Sequence, residues 1–387
     1  MASRGCRRGE CTVKKQISVL TALLTAAAFA VTGCGASGDN AAPSASSKAA
    51  SQEVPEETEH SEVESTEAEN TGAETGSEAV SEEEKEGSGA SAVRVGSLKG
   101  PTSMGLAYLM ETAKNGETAN TYEFTMAGKA DELVGNIANG SLDIALVPAN
   151  VASVLYNKTQ GQVKVIDINT LGVLYVVASD DSISTMEDLK GKTVYMTGKG
   201  TTPEFAMNYL LAENGLGSGD VTMEFKSEAA EVASILKEDP SAIGVLPQPF
   251  ASAACMQNPE LKTVMDLTEQ WDLLNKEGNS RMVTGVTIVR TGFLEEHEAA
   301  VERFLKDHAE SAEYTSAEPE KAAQLVADIG IVEKAAMAQK AMPLCNIVCI
   351  TGEEMKQALS GYLEVLSGQD AKSIGGTLPG DDFYYLP

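Results

Sequence analysis

The chain has 387 residues and a formal net charge of −28, from 57 acidic and 29 basic residues. A chain this acidic is a poor partner for nucleic acid or for an anionic membrane surface. Only three histidines are present, so an imidazole-rich metal site is not expected, and the sequence predicts neither a metal site nor a cofactor.

The N-terminal segment has the layout of a secretory signal. A basic stretch precedes an uncharged apolar run over residues 17–31, which is shorter than the roughly 20 residues that span a bilayer. The run ends in Val31-Thr32-Gly33-Cys34, which resembles the lipobox of bacterial lipoproteins. The resemblance implies that residues 1–33 are removed as a signal peptide and that Cys34 is lipidated. A signal peptide without lipidation is the alternative.

Residues 34–91 form a low-complexity segment that is rich in Ser, Ala, Glu, Thr and Gly and lacks aromatic residues. Such a composition buries too little apolar surface to offset the entropy of ordering, so we predict a disordered acidic tether. Loss of the signal peptide removes five basic residues and one acidic residue, which leaves a net charge of −32. Residues 34–91 themselves hold 15 acidic residues and two lysines, and the mutual repulsion of the acidic residues favours an extended tether.

From about residue 93 onwards, apolar strands alternate with helices. The pattern predicts strands at 93–97, 122–126 and 142–147, and helices at 103–115, 130–138 and from about 150. The same rhythm returns with strands at 193–196, 221–225 and 242–246. Such alternation indicates an α/β protein with βαβ units and mostly parallel sheets.

Two apolar strands, 171–179 and 282–290, join these blocks. Further helices are predicted at 229–237, 295–314, 318–328, 331–340 and 353–366. The order predicts one lobe from residues 93–177 plus 285–387 and a second lobe from residues 178–284. The two joining strands then form the hinge between the lobes.

This arrangement resembles a type II periplasmic-binding-protein fold. Four sequence stretches are similar to that family: Gly-Pro-Thr-Ser at 100–103, Asp-Leu-Lys-Gly-Lys at 188–192, Gly-Lys-Gly-Thr-Thr-Pro at 198–203 and Leu-Pro-Gln-Pro-Phe at 246–250. Together they resemble the solute-binding proteins of ABC importers for nitrate, sulfonates, taurine and thiamine precursors. The resemblance implies an extracytoplasmic, monomeric binding protein that delivers a small molecule to an ABC permease and its ATPase. The family usually has Pro-Glu-Pro where this chain has Gln248 between two prolines.

Ligands of α/β lobes bind outside the carboxyl ends of the strands. Three strand-to-helix junctions, at residues 101–104, 148–150 and 199–203, place small or hydroxyl residues before a helix whose free N–H groups can bind a ligand. Ordinary helix capping is the alternative for each residue. The candidate ligand-binding residues, which include two aromatics for stacking and one arginine, are Pro101, Thr102, Ser103, Met104, Asn150, Tyr175, Lys199, Gly200, Thr201, Thr202, Gln248, Phe250, Arg281 and Asn346.

Arg281 is the one arginine expected near the cleft, and the folded part is itself acidic. The sequence therefore favours a neutral or weakly charged heteroaromatic ligand of the thiamine-pyrimidine kind over a multiply charged anion. A small organic anion held by helix N-termini is the alternative.

No acid–base constellation stands out, so the sequence predicts no catalytic residue. An enzyme of the same fold, resembling a pyrimidine synthase or a chorismate lyase, is one rival function. A lipoprotein that presents its ligand to a receptor is another.

Cys345 and Cys349 either form a disulfide or remain free thiols, and the sequence favours buried free thiols.

Overall fold

The computed structural model describes residues 92–387. The predicted signal peptide, Cys34 and the predicted tether lie outside the described residues. The described residues form eleven strands and twelve α-helices. The strands are β1 (Val93–Leu98), β2 (Tyr122–Ala127), β3 (Ile144–Pro148), β4 (Val163–Leu171), β5 (Leu174–Ala178), β6 (Thr193–Thr197), β7 (Thr222–Lys226), β8 (Ile243–Pro247), β9 (Lys262–Asp266), β10 (Val283–Arg290) and β11 (Ile347–Ile350). The helices are α1 (Pro101–Met104), α2 (Ala107–Lys114), α3 (Ala130–Ala138), α4 (Ala149–Thr159), α5 (Thr202–Glu213), α6 (Ala229–Glu238), α7 (Phe250–Gln257), α8 (Leu267–Leu274), α9 (Thr291–Ala317), α10 (Pro319–Asp328), α11 (Ala335–Ala341) and α12 (Gly352–Gln369).

The strands form two sheets, with the orders β11-β4-β10-β3-β1-β2 and β7-β6-β8-β5-β9. We call the first sheet and its helices lobe one, and the second sheet and its helices lobe two. The two-lobed α/β expectation is confirmed, but the sheets are mixed rather than mostly parallel. β1 pairs in parallel with β2 and β3, and β6 with β7 and β8. β10 and β5 each run antiparallel to the strands on both sides of them, and β11 runs antiparallel to β4.

The first crossing between the lobes corrects the expectation of one continuous strand over 171–179. β4 ends in lobe one, and β5 begins in lobe two after only Gly172 and Val173. A Cβ on Gly172 would overlap Thr268 Oγ1 and would lie 2.9 Å from Met282 Sδ. Since Met282 directly precedes β10, the outgoing and returning chains pack against each other at this point.

The sequence analysis did not predict three of the strands and two of the helices, namely β4, β9, β11, α7 and α8. The reason is clearest for β4, where three polar residues, Asp167, Asn169 and Thr170, are buried within the strand. Their hydrogen bonds to one another and to Thr287 satisfy them inside the lobe. Buried polar residues of this kind conceal the apolar pattern on which strand prediction depends.

Aromatic packing also joins the two lobes. Trp271 of α8 is fully buried, with its ring centroid 4.4 Å from that of Tyr209 and 5.4 Å from that of Tyr362 on α12. Its indole N–H donates to Ser280 Oγ at 3.1 Å. The only tryptophan therefore belongs to the core between lobes.

Gly361 allows α12 to lie close to the chain that returns from lobe two. A Cβ at this position would overlap the backbone carbonyl oxygen of Asn279 and would lie 2.9 Å from Ser280 Cβ. Because the obstacle is largely backbone, a side-chain rotation cannot remove it.

We expect Gly361→Ala to lower the free energy of unfolding by about 1–3 kcal/mol, since the backbone must move to admit a methyl group. Gly135→Ala within α3 is the matched control, because a Cβ there meets no heavy atom within 4 Å. The control should be neutral or stabilising by up to about 1 kcal/mol, as expected for glycine replaced within a helix. Urea unfolding of the full-length variants measures both changes. Equal effects at the two positions would contradict the close approach at Gly361.

Candidate ligand-binding cleft

The junction after β1 directs its hydroxyl groups inwards. Ser103 is fully buried, and its Oγ hydrogen bonds with Ser97 Oγ at 2.7 Å and donates to the Leu98 carbonyl. Thr102 Oγ1 donates to the same carbonyl at 3.2 Å. The Met104 side chain is fully buried in the apolar cluster that α10 and α11 also form. These three side chains support the junction from within, while Pro101 is half-buried beside them.

Asn169, which the sequence did not indicate, approaches the same junction. Gly285 of β10 lies opposite Pro148 at the end of β3. A Cβ on Gly285 would overlap Asn169 Oδ1 and would lie 2.7 Å from Thr102 Cγ2. Asn169 and Thr102 therefore converge over Gly285 at the carboxyl ends of the lobe-one strands.

The junction after β6 is also closed by its own residues. The Gly200 N–H donates to the Glu204 carboxylate, and Thr201 Oγ1 donates to the Gly198 carbonyl at 2.6 Å. Gly200 has φ 71°, a conformation that favours glycine. A carboxylate of the chain thus already occupies the positive end of α5, where the alternative prediction placed an anionic ligand. Thr202, the first residue of α5, is half-buried.

Lys199 extends from this loop towards an aromatic ring. Its Nζ lies 5.8 Å from the centroid of the Phe225 ring, within the range of a cation–π contact. The side chain is exposed.

Gln248 holds the start of α7 against the first crossing. Its backbone N–H donates to the Val173 carbonyl at 2.9 Å, and its Oε1 accepts from Ser252 Oγ at 2.8 Å. The side chain is 2% exposed, yet its Nε2 has no partner among the described residues. A buried amide donor without a partner is uncommon, and it lies one residue before the wall of the largest cavity described below.

A cavity of about 840 Å³ lies between elements of the two lobes. Lobe one supplies Lys99, directly after β1, and the connection between α10 and α11. Lobe two supplies the start and one face of α7, including Phe250. The lining residues are Lys99, Pro249, Phe250, Ala253, Gln257, Ala327, Gly330, Ile331, Val332, Glu333, Lys334 and Met337. Its walls are largely apolar, and two lysines and one glutamate lie among them.

Most of this lining was missed in the sequence. We predicted a helix over 331–340, but α11 begins only at Ala335, and residues 331–334 form the connecting segment that faces the cavity. Gly330, with φ 76°, ends the preceding turn. The glycine followed by the apolar residues Ile331 and Val332 was the one feature of the sequence that could have indicated a turn whose side chains line a cavity. Of the predicted ligand-binding residues, the cavity includes Phe250, which is 43% exposed.

Arg281 and Asn346 line a second cavity, of about 500 Å³, beside the crossing. The Asn346 side-chain amide donates to the Gly172 carbonyl at 2.6 Å. Arg281 pairs with Asp272 at 3.4 Å, so this expected cleft arginine already has a carboxylate partner.

Two other arginines bind a carboxylate at the start of β3. Asp143 is fully buried and accepts from Arg94 Nε at 2.8 Å and from Arg290 at 3.0 Å. Burial raises the pKa of Asp143, but the hydrogen bonds from both guanidinium groups outweigh burial and hold this pKa below its usual range. Because Asp143 precedes β3, this cluster lies at the opposite end of the strand from the candidate cleft.

Tyr175 and Asn150 bond to segments that follow later in the chain. The Tyr175 hydroxyl of β5 donates to the Leu344 carbonyl at 2.8 Å, which joins lobe two to the turn before β11. Burial, with Asp266 nearby, raises the pKa of this phenol, so the group stays a neutral donor. Asn150 Nδ2 donates to the Ser373 carbonyl at 3.3 Å.

Comparison with known proteins gives the family. Residues 107–331, more than half of the chain, match the model described as "ABC transporter, phosphonate, periplasmic substrate-binding protein". The chain belongs to this family. A binding protein of Brucella abortus (strain 2308) is 25% identical over 251 residues, which cover 62% of this chain and 70% of that protein.

Solved structures share the fold of this substrate-binding protein. An ABC transporter protein from Parabacteroides distasonis has a TM-score of 0.64 and 22% identity, over 76% of this chain and 98% of that one. The periplasmic aliphatic sulphonate binding protein SsuA from Escherichia coli has a TM-score of 0.60 and 16% identity, over 76% and 92%. These neighbours share the two-lobed fold. The family match itself indicates a periplasmic substrate-binding protein of an ABC transporter. No helix within residues 92–387 is both long enough and apolar enough to cross a membrane.

We expect Tyr175→Phe to lower the free energy of unfolding by about 0.5–1.5 kcal/mol, because the Leu344 carbonyl then loses its donor. Tyr195→Phe on β6 is the matched control, since the Tyr195 hydroxyl makes no hydrogen bond within the described part of the chain. Thermal unfolding of both variants measures the difference. A Tyr175→Phe protein as stable as the control would show that this bond does not hold the lobes together.

Proposed function

We propose that this substrate-binding protein captures a small organic molecule between its lobes and delivers it to an ABC importer. The observation that carries the proposal is the cavity of about 840 Å³, to which both lobes contribute. Its size falls within the range of about 300–1,000 Å³ typical of small-molecule sites. β5 (Leu174–Ala178) belongs to the sheet of lobe two and β10 (Val283–Arg290) to that of lobe one, so the chain passes between the lobes near residues 172 and 282 rather than at the expected bounds of 178 and 284. A ligand that contacts both lobes favours their closure. The closed monomer then docks on the permease, and no chemical step is involved.

The cavity wall supports a ligand with an apolar body and one acidic group. Phe250, Ile331 and Val332 offer apolar surface, while Lys99 and Lys334 offer positive charge beside a single Glu333. No arginine lines the cavity, and the N-terminus of α5 already holds Glu204. These features favour a singly charged organic anion, such as an alkyl or aryl phosphonate or sulfonate, over a multiply charged one. A neutral pyrimidine stacked on Phe250 is the second candidate, because the ring is exposed.

Calorimetric titration of the full-length protein with phosphonates, sulfonates, thiamine-type pyrimidines, nitrate and bicarbonate tests both candidates. We expect an organic anion to bind, and we expect Phe250→Ala to weaken its binding about tenfold. Lys334→Ala should weaken anion binding by about two- to fivefold and leave neutral ligands unaffected, as is typical of an exposed charge. Met256→Ala and Lys340→Ala are matched controls on α7 and α11, because neither residue lines the cavity.

If neither Phe250→Ala nor Lys334→Ala changes the Kd of the ligand, the ligand does not bind in this cavity. Chemical conversion of a bound compound would favour the enzyme instead of the receptor.

We also propose that Cys34 carries the lipid that keeps the protein at the outer face of the cell membrane. The support is the lipobox-like Val31-Thr32-Gly33-Cys34 after an apolar run. One acyl chain holds a protein only weakly, and stable anchoring needs two signals, which the diacylglyceryl group of a lipobox cysteine provides. The acidic segment 34–91 then tethers the binding domain and lets it reorient towards the permease.

Cys34→Ser should move the protein from the membrane fraction of a bacterial host to the soluble extracytoplasmic fraction. Cys11→Ser, within the predicted signal peptide, is the control and should leave the protein in the membrane fraction. Immunoblots of the two fractions measure the distribution. Retention of Cys34→Ser in the membrane would contradict the anchor.

A further inference from the structure

Three side chains with metal-binding atoms meet inside lobe one, away from the candidate cleft. Asp167 comes from β4, His308 from α9 and Cys349 from β11. One donor atom from each lies within 4.8 Å of the other two. Asp167 and His308 have fully buried side chains, and Cys349 is half-buried. This cluster could not be predicted from the sequence, because the three residues are 41 to 182 positions apart.

We propose that Asp167, His308 and Cys349 bind a divalent cation of the zinc class. The site is independent of the proposed transport function and of the cavity between the lobes.

The first argument is the incomplete bonding of His308. Its Nδ1 lies 3.0 Å from Asp167 Oδ2, but its Nε2 has no partner among the described residues. An imidazole with no exposed surface normally has a partner at each nitrogen. A cation bound by Asp167 and Cys349 would take Nδ1, the nitrogen that faces the carboxylate, in place of the present hydrogen bond, and Nε2 would then carry the ring proton.

The second argument is the charge of the cluster. The buried Asp167 carboxylate accepts from Thr287 Oγ1 at 2.7 Å and contacts His308, but it pairs with no lysine or arginine of the described chain. A buried carboxylate beside a thiol is stabilised by a bound cation, which compensates the carboxylate and favours the thiolate.

The donor set decides the class of metal. One nitrogen, one oxygen and one sulfur suit Zn²⁺, whereas Ca²⁺ and Mg²⁺ require six or more oxygen ligands or waters. Donors around a tetrahedral zinc ion lie about 3.5 Å apart, so binding would draw these side chains closer together. Cys349 also lines a cavity of about 390 Å³ with Glu302 and Thr351, which gives the ion a route from solvent.

Cobalt and zinc binding to the reduced, metal-free, full-length protein tests the site. We expect one equivalent of Co²⁺ to produce a thiolate-to-cobalt charge-transfer band, and one equivalent of Zn²⁺ to abolish this band and raise Tm. Cys349→Ser should lose the band, and Asp167→Asn should weaken metal binding at least about tenfold. Asp167→Asn keeps a side chain of the same shape, so it separates loss of charge from loss of packing.

Cys255→Ser on α7 of lobe two is the matched control and should keep both the band and the rise in Tm. His308→Gln is a further variant, and Cys349→Ser and Asp167→Asn decide the question if it fails to fold. Absence of a charge-transfer band in the parent protein would overturn the proposal, as would its persistence in Cys349→Ser. The cluster would then be an Asp–His hydrogen bond beside an ordinary thiol.

Discussion

The packing of the two lobe crossings against each other is the constraint on which the rest of the structure depends. Gly172 has no room for a side chain because Thr268 and Met282 press against it. Its carbonyl accepts from Asn346, and the neighbouring Val173 carbonyl accepts from Gln248. Both lobes are thus tied to a segment of two residues. These contacts restrict the movement of the two residues that connect the lobes.

This constraint explains how the cavity is built. With the lobes held at Gly172, the junction after β1 and the start of α7 reach the same space, and the α10–α11 connection closes its side. The polar groups that a generic binding protein could direct at a ligand are engaged elsewhere. Thr102 and Ser103 bond to Leu98, while Glu204 occupies the Gly200 N–H. In the proposed site, apolar surface and two lysines are therefore available to a ligand more than the helix termini are.

The sequence predicted the parts of the fold that follow regular periodicity. Strands such as β1 and β6 and helices such as α3 and α6 lie within one or two residues of their predicted bounds. The failures have two physical causes. Buried polar residues concealed β4. The connection at 331–334 was assigned to a helix because its apolar residues Ile331 and Val332 directly precede α11, whereas in the structure they line the cavity. The direction of side chains could not be predicted either: Met104 lies at an expected junction and Tyr175 on a predicted joining strand, yet both side chains are buried in the lobes.

β4 links the features of this protein that periodicity does not show. Asp167 bonds to Thr287, Thr287 accepts from Asn169, and Asn169 accepts from Thr170. This chain of hydrogen bonds leads from His308 inside lobe one to Asn169, which stands beside Thr102 at the carboxyl ends of the strands. An unpaired polar group is costly in a low-dielectric interior, so these bonds stabilise the buried polar side chains of β4. They place Asn169 and the Asp167–His308 pair in one hydrogen-bond network within lobe one.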